Sequence, residues 1–436
     1  MIKLFYHPID SAILIYFRFM AGILMSQELI NALFIGKFNE YTTPKFHFSY
    51  LFFDWIKPWP YEGMILHYGL TILAGLGVAF NFHYRISSVI LFLGYTLLFL
   101  MEQTEYINHA YLYCLISFWI MILPLNKNKK LMPAWMLYIF LFHMGLAYFF
   151  GGIAKLNPDW LSGSPMNIFL EARRNYPLGF IYSADWAPKA FAYGGLFFDL
   201  FIVPLMIFRM TRYLGLLLSI LFHLSNVMMF GLATFPWFSL LLTTMFLNPS
   251  WPRRVPYFSR FLPKNGPELL PSPHPVLIPL LAIYAFIHLA LPLRHWIYPG
   301  NVAWTEEGHM FSWRMMLRHK KGSLNFLVQN KSTLQGLIVN PLEFLTERQF
   351  QDIIGKPDLI LHFAHYLRDH YQKEWKSNVA VYASSRVSLN GRAEQEMIRP
   401  GTDLAQESRS LMPYAWILPM NEDKKKARIS AGPGHP

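Results

Sequence analysis

The chain has a single cysteine, Cys114, in 436 residues, and it lies inside an apolar run. That excludes a disulfide within the chain, a thiolate-held metal cluster and a CxxC redox pair. Charge is scarce as well. Only 15% of residues are Asp, Glu, Lys or Arg, against 54% hydrophobic and 17% aromatic, which excludes an ordinary soluble protein. There is no phosphate-binding glycine loop and no internal repeat, and the 16 histidines show no HExxH or similar ligand spacing. A metal site would have to be assembled from distant segments, and none is expected. The N-terminus, MIKLFYHPIDSA, lacks a cleavable signal pattern, so the first span is expected to act as an uncleaved one.

What the chain has instead is long apolar runs. Hydropathy predicts nine spans, near Ala12 to Leu33, Met64 to Phe80, Ile86 to Met101, His109 to Leu125, Ala134 to Lys155, Ala190 to Phe208, Leu214 to Gly231, Phe235 to Leu247 and Pro275 to Leu293, the eighth of them short. An all-α polytopic membrane domain over residues 1–293 follows. The formal charge of +12 does not point to nucleic acid, because the basic residues sit in short clusters between the runs. With the N-terminus in the cytoplasm, HYR (83–85), NKNKK (126–130), RMTR (209–212), WPRR (251–254) and RFLPK (260–264) all fall inside, as the positive-inside rule requires. The other face then receives residues 102–108, the loop from Lys155 to Lys189, the turn at Thr234 and everything after Leu293.

Several polar residues interrupt the spans. Arg18 and Asp199 are costly in hydrocarbon, so they are expected to face the bundle and to pair with each other or with backbone. His223 and Asn226 lie three apart, on one helical face. Asn108 is placed to cap the fourth helix, whereas His109 beside it has no such explanation. Lys155 ends the fifth span just before Asn157-Pro158 breaks the helix, on one face with Tyr148 and Gly152, and Gly151-Gly152 would admit a close neighbour or a flat ligand. Two readings of this lysine stand side by side: a snorkelling anchor at the headgroups, or a desolvated amine base.

Past Leu293 the composition turns soluble. A hairpin with its turn near Asn330-Lys331, two helical stretches (PLEFLTERQFQDII and PDLILHFAHYLRDHYQKEW) and two strands around an Asn390-Gly391 turn predict a small α+β non-cytoplasmic domain over 294–421. The remainder, 422–436, is charged and then Gly/Pro-rich, and disorder is expected there.

At YFFGGIAKLNPDW (148–160) the sequence resembles the vitamin K-dependent gamma-glutamyl carboxylases and their bacterial relatives with the horizontally transferred transmembrane domain. Similar blocks recur in order as FRFMAGILM (17–25), YRIS (84–87), TEYINHAYLY (104–113), GGLFFDL (194–200), FHLSN (222–226), PSWPRR (249–254), WTEEGHMFSWRMM (304–316), VNPLEF (339–344), VYASSRVSLNGRAEQEMIRPGTDL (381–404) and PYAWILP (413–419). The resemblance implies a membrane enzyme that uses a hydroquinone, reduced vitamin K or menaquinol, with O2 and CO2 and no metal, to convert peptidyl glutamate to gamma-carboxyglutamate while the quinone leaves as its epoxide. It assigns Lys155 as the base and places Asn108 and His109 near the quinone, with His223 in a supporting role. Trp313, Met315 and Met316 match the segment lining the glutamate channel and Arg348 an arginine of that channel. His309 and Arg318 occupy channel positions without matching residue for residue, and His295 matches a histidine after the last span. The implied partners are a glutamate-containing protein or peptide, the bilayer and a quinone reductase for recycling, and the implied location is a bacterial inner membrane with the site facing the periplasm. Animal members continue into a large lumenal β-rich region with no counterpart here, so propeptide recognition of the animal kind is not expected. Two other readings remain: a relative that oxygenates quinol without carboxylating glutamate, and a membrane transporter or scaffold. The second is disfavoured because the spans lack the broken, inverted-repeat pattern of many carriers.

Overall fold

The computed structural model describes residues 2–125, 129–176, 179–256, 258–264 and 274–421; the expected disordered tail, 422–436, lies outside them. Seven helices are long and apolar enough to cross a membrane: α1 (Ala12–Phe34), α2 (Tyr61–Ala79), α3 (Tyr84–Met101), α5 (Trp135–Lys155), α6 (Ala187–Ile207), α7 (Arg212–Phe230) and α9, whose apolar stretch runs Leu277–Ile297. Two further apolar helices, α4 (Asn108–Ile122) and α8 (Phe235–Thr244), fill the remaining expected positions but are shorter than a span needs. At 1.5 Å per residue they cover only about 22 and 15 Å of a hydrocarbon core of about 30 Å.

Contacts at the two ends of the bundle nevertheless fix the path of the chain. At one end, strand β1 (Pro8–Asp10) pairs antiparallel with β2 (Leu131–Pro133), Arg253 Nε meets Asp10 Oδ2 at 2.6 Å, and the backbone N–H of His274 donates to the Tyr6 hydroxyl. At the other, Asn31 Nδ2 donates to Thr234 Oγ1 at 3.2 Å. The short α8 and the residues after it therefore carry the chain from one end to the other. Of the basic connectors, Arg253 and Lys130 meet the N-terminal segment at the β1–β2 end, while 126–128 of NKNKK lie outside the described residues; Asn108, and Asp159 just after Lys155, meet the C-terminal region at the other end. Large apolar side chains on α6, α7 and α9, among them Phe197, Leu217 and Phe286, are exposed on the outer surface. In a bilayer that surface meets lipid.

Arg18 and Asp199 do not pair with each other. Arg18 donates to Asn81 Oδ1 at 2.6 Å, and Asp199 meets Lys155. A turn outside the helix supplied the nearer acceptor for the arginine, and helix packing brought the lysine to the aspartate.

The C-terminal region is an antiparallel sheet in the order β4-β3-β5-β6, with β3 (Lys320–Asn330), β4 (Gly336–Val339), β5 (Val379–Leu389) and β6 (Gln395–Glu396). Helix α11 (Pro357–Trp375) lays Ile360, Phe363, Ala364, Leu367 and Tyr371, a stripe of helical period, into one core with Phe326 and Val328 of β3 and Val381 of β5. Thr346 and Gln349 form a capping box at the start of α10 (Glu347–Ile353). Both turn residues read as a hairpin, Asn390 and Gly391, have positive φ, 51° and 77°, as a two-residue type I′ turn requires. This turn docks on the bundle. Asn390 Nδ2 and the guanidinium of Arg392 donate to the carboxylate of Asp159, four residues after Lys155. On the far side of the interface Glu102, fully buried, accepts from Gln349 Nε2 and pairs with His47.

Candidate active site

Helix α5 stops where the sequence places the stop. The Asn157 side chain accepts from Trp160 N–H and so caps the next short helix (Pro158–Leu161), with Pro158 in its first turn. Lys155, the last residue of α5, is thereby held at the bundle end yet stays buried, 6% exposed, which rules out an anchor reaching for headgroups. Its Nζ lies 2.5 Å from Asp199 Oδ2 on α6 and 5.2 Å from the centre of the Trp160 ring. The close approach of α5 and α6 depends on glycine: a Cβ at Gly152 would sit 2.6 Å from Leu200 Cδ2, and one at Gly151 would sit 3.0 Å from Asp199 Oδ2. The neighbour expected at the Gly-Gly pair is thus α6, and it brings the carboxylate.

One cavity of about 1260 Å³ joins this pair to the remaining candidates. Its membrane arm is lined by Asn108, His109, Tyr148, Lys155, Asp199, His223 and Asn226, with Trp160, Phe198, Phe222 and Phe235 as aromatic wall. Its other arm runs under the C-terminal region past Glu306, His309, Arg314, Met315, Met316, Arg318 and Lys320.

In the membrane arm, Tyr148 and His223 Nε2 share a hydrogen bond of 2.8 Å, while the buried Nδ1 of His223 has no partner. His109 stacks on Phe235, ring centres 4.9 Å apart. Asn108 does not cap its helix: the N-cap is Ile107, with no side-chain cap bond, and Asn108 bridges outward, accepting from the Tyr106 hydroxyl and donating to the Arg314 carbonyl. A flat, largely apolar ligand with hydroxyl groups fits this arm, since its walls are aromatic and its buried free nitrogen needs a partner.

The segment 304–316 forms the roof of the other arm. Four of its non-glycine residues, Glu306, Phe311, Trp313 and Met316, have positive φ between 55° and 65°, a concentration of backbone strain of the kind found at functional sites. Trp313 is buried off the cavity wall, packed on Tyr111, while Met315 and Met316 line the cavity. Glu306 receives Arg318 at 2.5 Å and Lys320 at 2.7 Å. Burial alone would raise its carboxyl, but Arg318, Lys320 and His309 outweigh burial and hold it well below the usual carboxylate range. Burial, only partly offset by Glu306, pushes the Lys320 amine down to about 8.

Arg348 is not at the cavity. It lies on α10, 54% exposed at its side chain, and pairs with Glu105 at 2.9 Å, so it ties the C-terminal region to the bundle. His295 is also off the wall; its Nδ1 bonds the carbonyl of Pro292 at the end of α9. Asp199, Tyr148 and Arg314 were not picked out for this site from the sequence. The i, i+7 spacing of Tyr148 and Lys155 was a usable signal, whereas nothing in the sequence linked Asp199 to the lysine.

Comparison with known proteins finds two family models along the chain, and the second takes in the last apolar helix, α9, together with the C-terminal region. Residues 6–251, more than half of the chain, match the family model of the HTTM domain. Residues 273–423 match that of the lumenal domain of vitamin K-dependent gamma-carboxylase. No solved structure matches the chain.

Proposed function

Since the chain belongs to the vitamin K-dependent gamma-carboxylase family, we propose that it carboxylates peptidyl glutamate at the gamma carbon, with a vitamin K-type hydroquinone, O2 and CO2 consumed in the same cavity. The observation that carries this reading is the single cavity that has Lys155–Asp199 in its membrane arm and Met315–Met316 in its roof. When bound, the hydroquinone supplies with oxygen a base strong enough to take a hydrogen from the gamma carbon.

The residues account for the rest. Lys155 and Asp199 hold one proton between them, and only the arrangement with that proton on the carboxylate leaves an amine lone pair. In that form Nζ would accept a hydroxyl proton; the ammonium that results would be balanced by the anion left behind, and Asp199 would keep it in place by a hydrogen bond. Asn108 and His109 flank the hydroquinone, and His223, oriented by Tyr148, offers its free Nδ1 to it. Aromatic walls exclude water, which would otherwise quench a strong base or a carbanion. The peptide enters under the C-terminal region, whose strained roof orients the glutamate. A quinone reductase regenerates the hydroquinone. Location in a bacterial inner membrane, with the cavity on the periplasmic side, agrees with basic connectors at the opposite end of the bundle.

The test is purified protein with reduced vitamin K, oxygen, labelled bicarbonate and a short glutamate peptide, wild type against Lys155→Ala. Label in the peptide that disappears in the variant is the expected outcome. Quinone epoxide without label means oxygenation alone, and quinol-independent behaviour unaffected by the substitution means neither activity.

A further inference from the structure

The roof of the cavity carries a guanidinium with no ion-pair partner among the described residues. Arg314 is largely buried, lines the cavity, and makes no ion pair or side-chain hydrogen bond among the described residues; its buried Nε is without a partner. The acids around it are already engaged. Glu306 is taken by Arg318 and Lys320, Asp352 by Lys356 and Asp358 by Arg409, while Glu307 accepts from the backbone N–H of Tyr414. His309, also buried on this wall, has an unpartnered Nδ1 that stands 4.0 Å from Glu306 Oε2. Burial, with Arg318 nearby and only partly offset by Glu306, pushes the guanidinium down to about 10. A buried cation without a counter-charge is costly, and a protein that keeps one has a use for its charge.

We propose that Arg314, assisted by His309 Nδ1, is the receptor for the gamma-carboxylate of the acceptor glutamate. The inference rests on the proposed function and names the residue that selects its substrate. A planar guanidinium matches a carboxylate with two parallel hydrogen bonds. Loss of a hydrogen from the gamma carbon spreads the negative charge onto the carboxylate oxygens, so the same fork holds the carbanion more tightly than the substrate. Arg314 is well placed for this: its carbonyl is tied to Asn108, and its neighbours Met315 and Met316 line the same cavity. Arg348, matched from the sequence to an arginine of this channel, is held by Glu105 outside the cavity. Glutamine in the same position would leave the guanidinium unpaired, so the site discriminates between the two side chains by charge.

Bicarbonate offers similar chemistry, and the experiment separates the two. The full chain in lipid nanodiscs, without quinol, is titrated by calorimetry with a blocked peptide holding one glutamate, with the same peptide holding glutamine, and with bicarbonate alone. Wild type should prefer the glutamate peptide. Arg314→Gln should weaken that binding roughly 10- to 100-fold, leave the glutamine peptide unaffected and keep or raise the unfolding midpoint, because it removes an unpaired buried charge. Arg314→Lys should recover part of the affinity. Unchanged glutamate-peptide binding by Arg314→Gln overturns the proposal. So does a lowered midpoint with both peptides weakened alike, which marks a structural arginine, or Arg314-dependent binding of bicarbonate but not of the peptide. Because quinol is absent from the measurement, a wild type that fails to turn over quinol counts against the proposed function and leaves this result readable.

Discussion

Lys155 and Asp199 are each costly where they sit, and each is tolerated because of the other. Removing one partner leaves a buried charge or a stranded polar group, which costs about 3–5 kcal/mol, while replacing both by apolar residues of similar volume is often neutral. Lys155→Met and Asp199→Leu should therefore each lower the unfolding midpoint in detergent, and the double variant should recover most of the loss. Quinol consumption should be absent from all three. Recovery of stability without activity separates chemical from structural need, and activity in the double variant would remove the pair from the mechanism. At this scale the sequence singled out the lysine but did not pair it with the aspartate. Nothing in a one-dimensional pattern states which of two buried cations, Arg18 or Lys155, will face a given carboxylate.

The contact of α5 with α6 decides that pairing, and it turns on Gly152. A Cβ there meets Leu200 at 2.6 Å from Cδ2 and 3.2 Å from the backbone nitrogen, so Gly152→Ala must push the helices apart. Overpacking of this kind costs about 1–3 kcal/mol. Gly145→Ala, on the same helix with open space around it, is the control, and it should be neutral or stabilising by about 0.5–1 kcal/mol. The expected result is a loss of quinol turnover in Gly152→Ala that exceeds its loss of midpoint, with Gly145→Ala active; equal activity would show that the spacing of the two helices is not critical. Most elements were legible at this level. Apolar runs, the Asn157-Pro158 stop, the Asn390-Gly391 turn and the α11 stripe all follow from local chemistry. Helix α8 was legible as a short apolar segment, whereas α4 was not legible as shorter than a span, because hydropathy does not register where a helix ends.

Across the whole molecule, the cavity reaches the outer surface of the bundle. Its wall includes Phe197, Phe201, Leu218 and Leu221, which are also exposed on the face that meets lipid. On the proposed function, the opening between α6 and α7 is where a quinol dissolved in the bilayer enters. Leu218→Trp should raise the KM for a long-tailed quinol several-fold, with kcat and the KM for a tail-less quinol little changed. An equal effect on both quinols would place the entrance elsewhere.

The sequence by itself determined the class of the molecule: long apolar runs call for a bilayer, and a hairpin-and-helix region follows the last of them. It also supplied Lys155, Asn108, His109, His223 and the Met315–Met316 segment, because these fall in short ordered blocks. Only the tertiary structure decided what surrounds them. Asp199 beside Lys155, Tyr148 on His223, Arg348 bound to Glu105 and the solitary charge of Arg314 are relations between segments tens to hundreds of residues apart. Such relations are set by how helices pack and by which buried charges find partners, and neither is a property of any local stretch of chain.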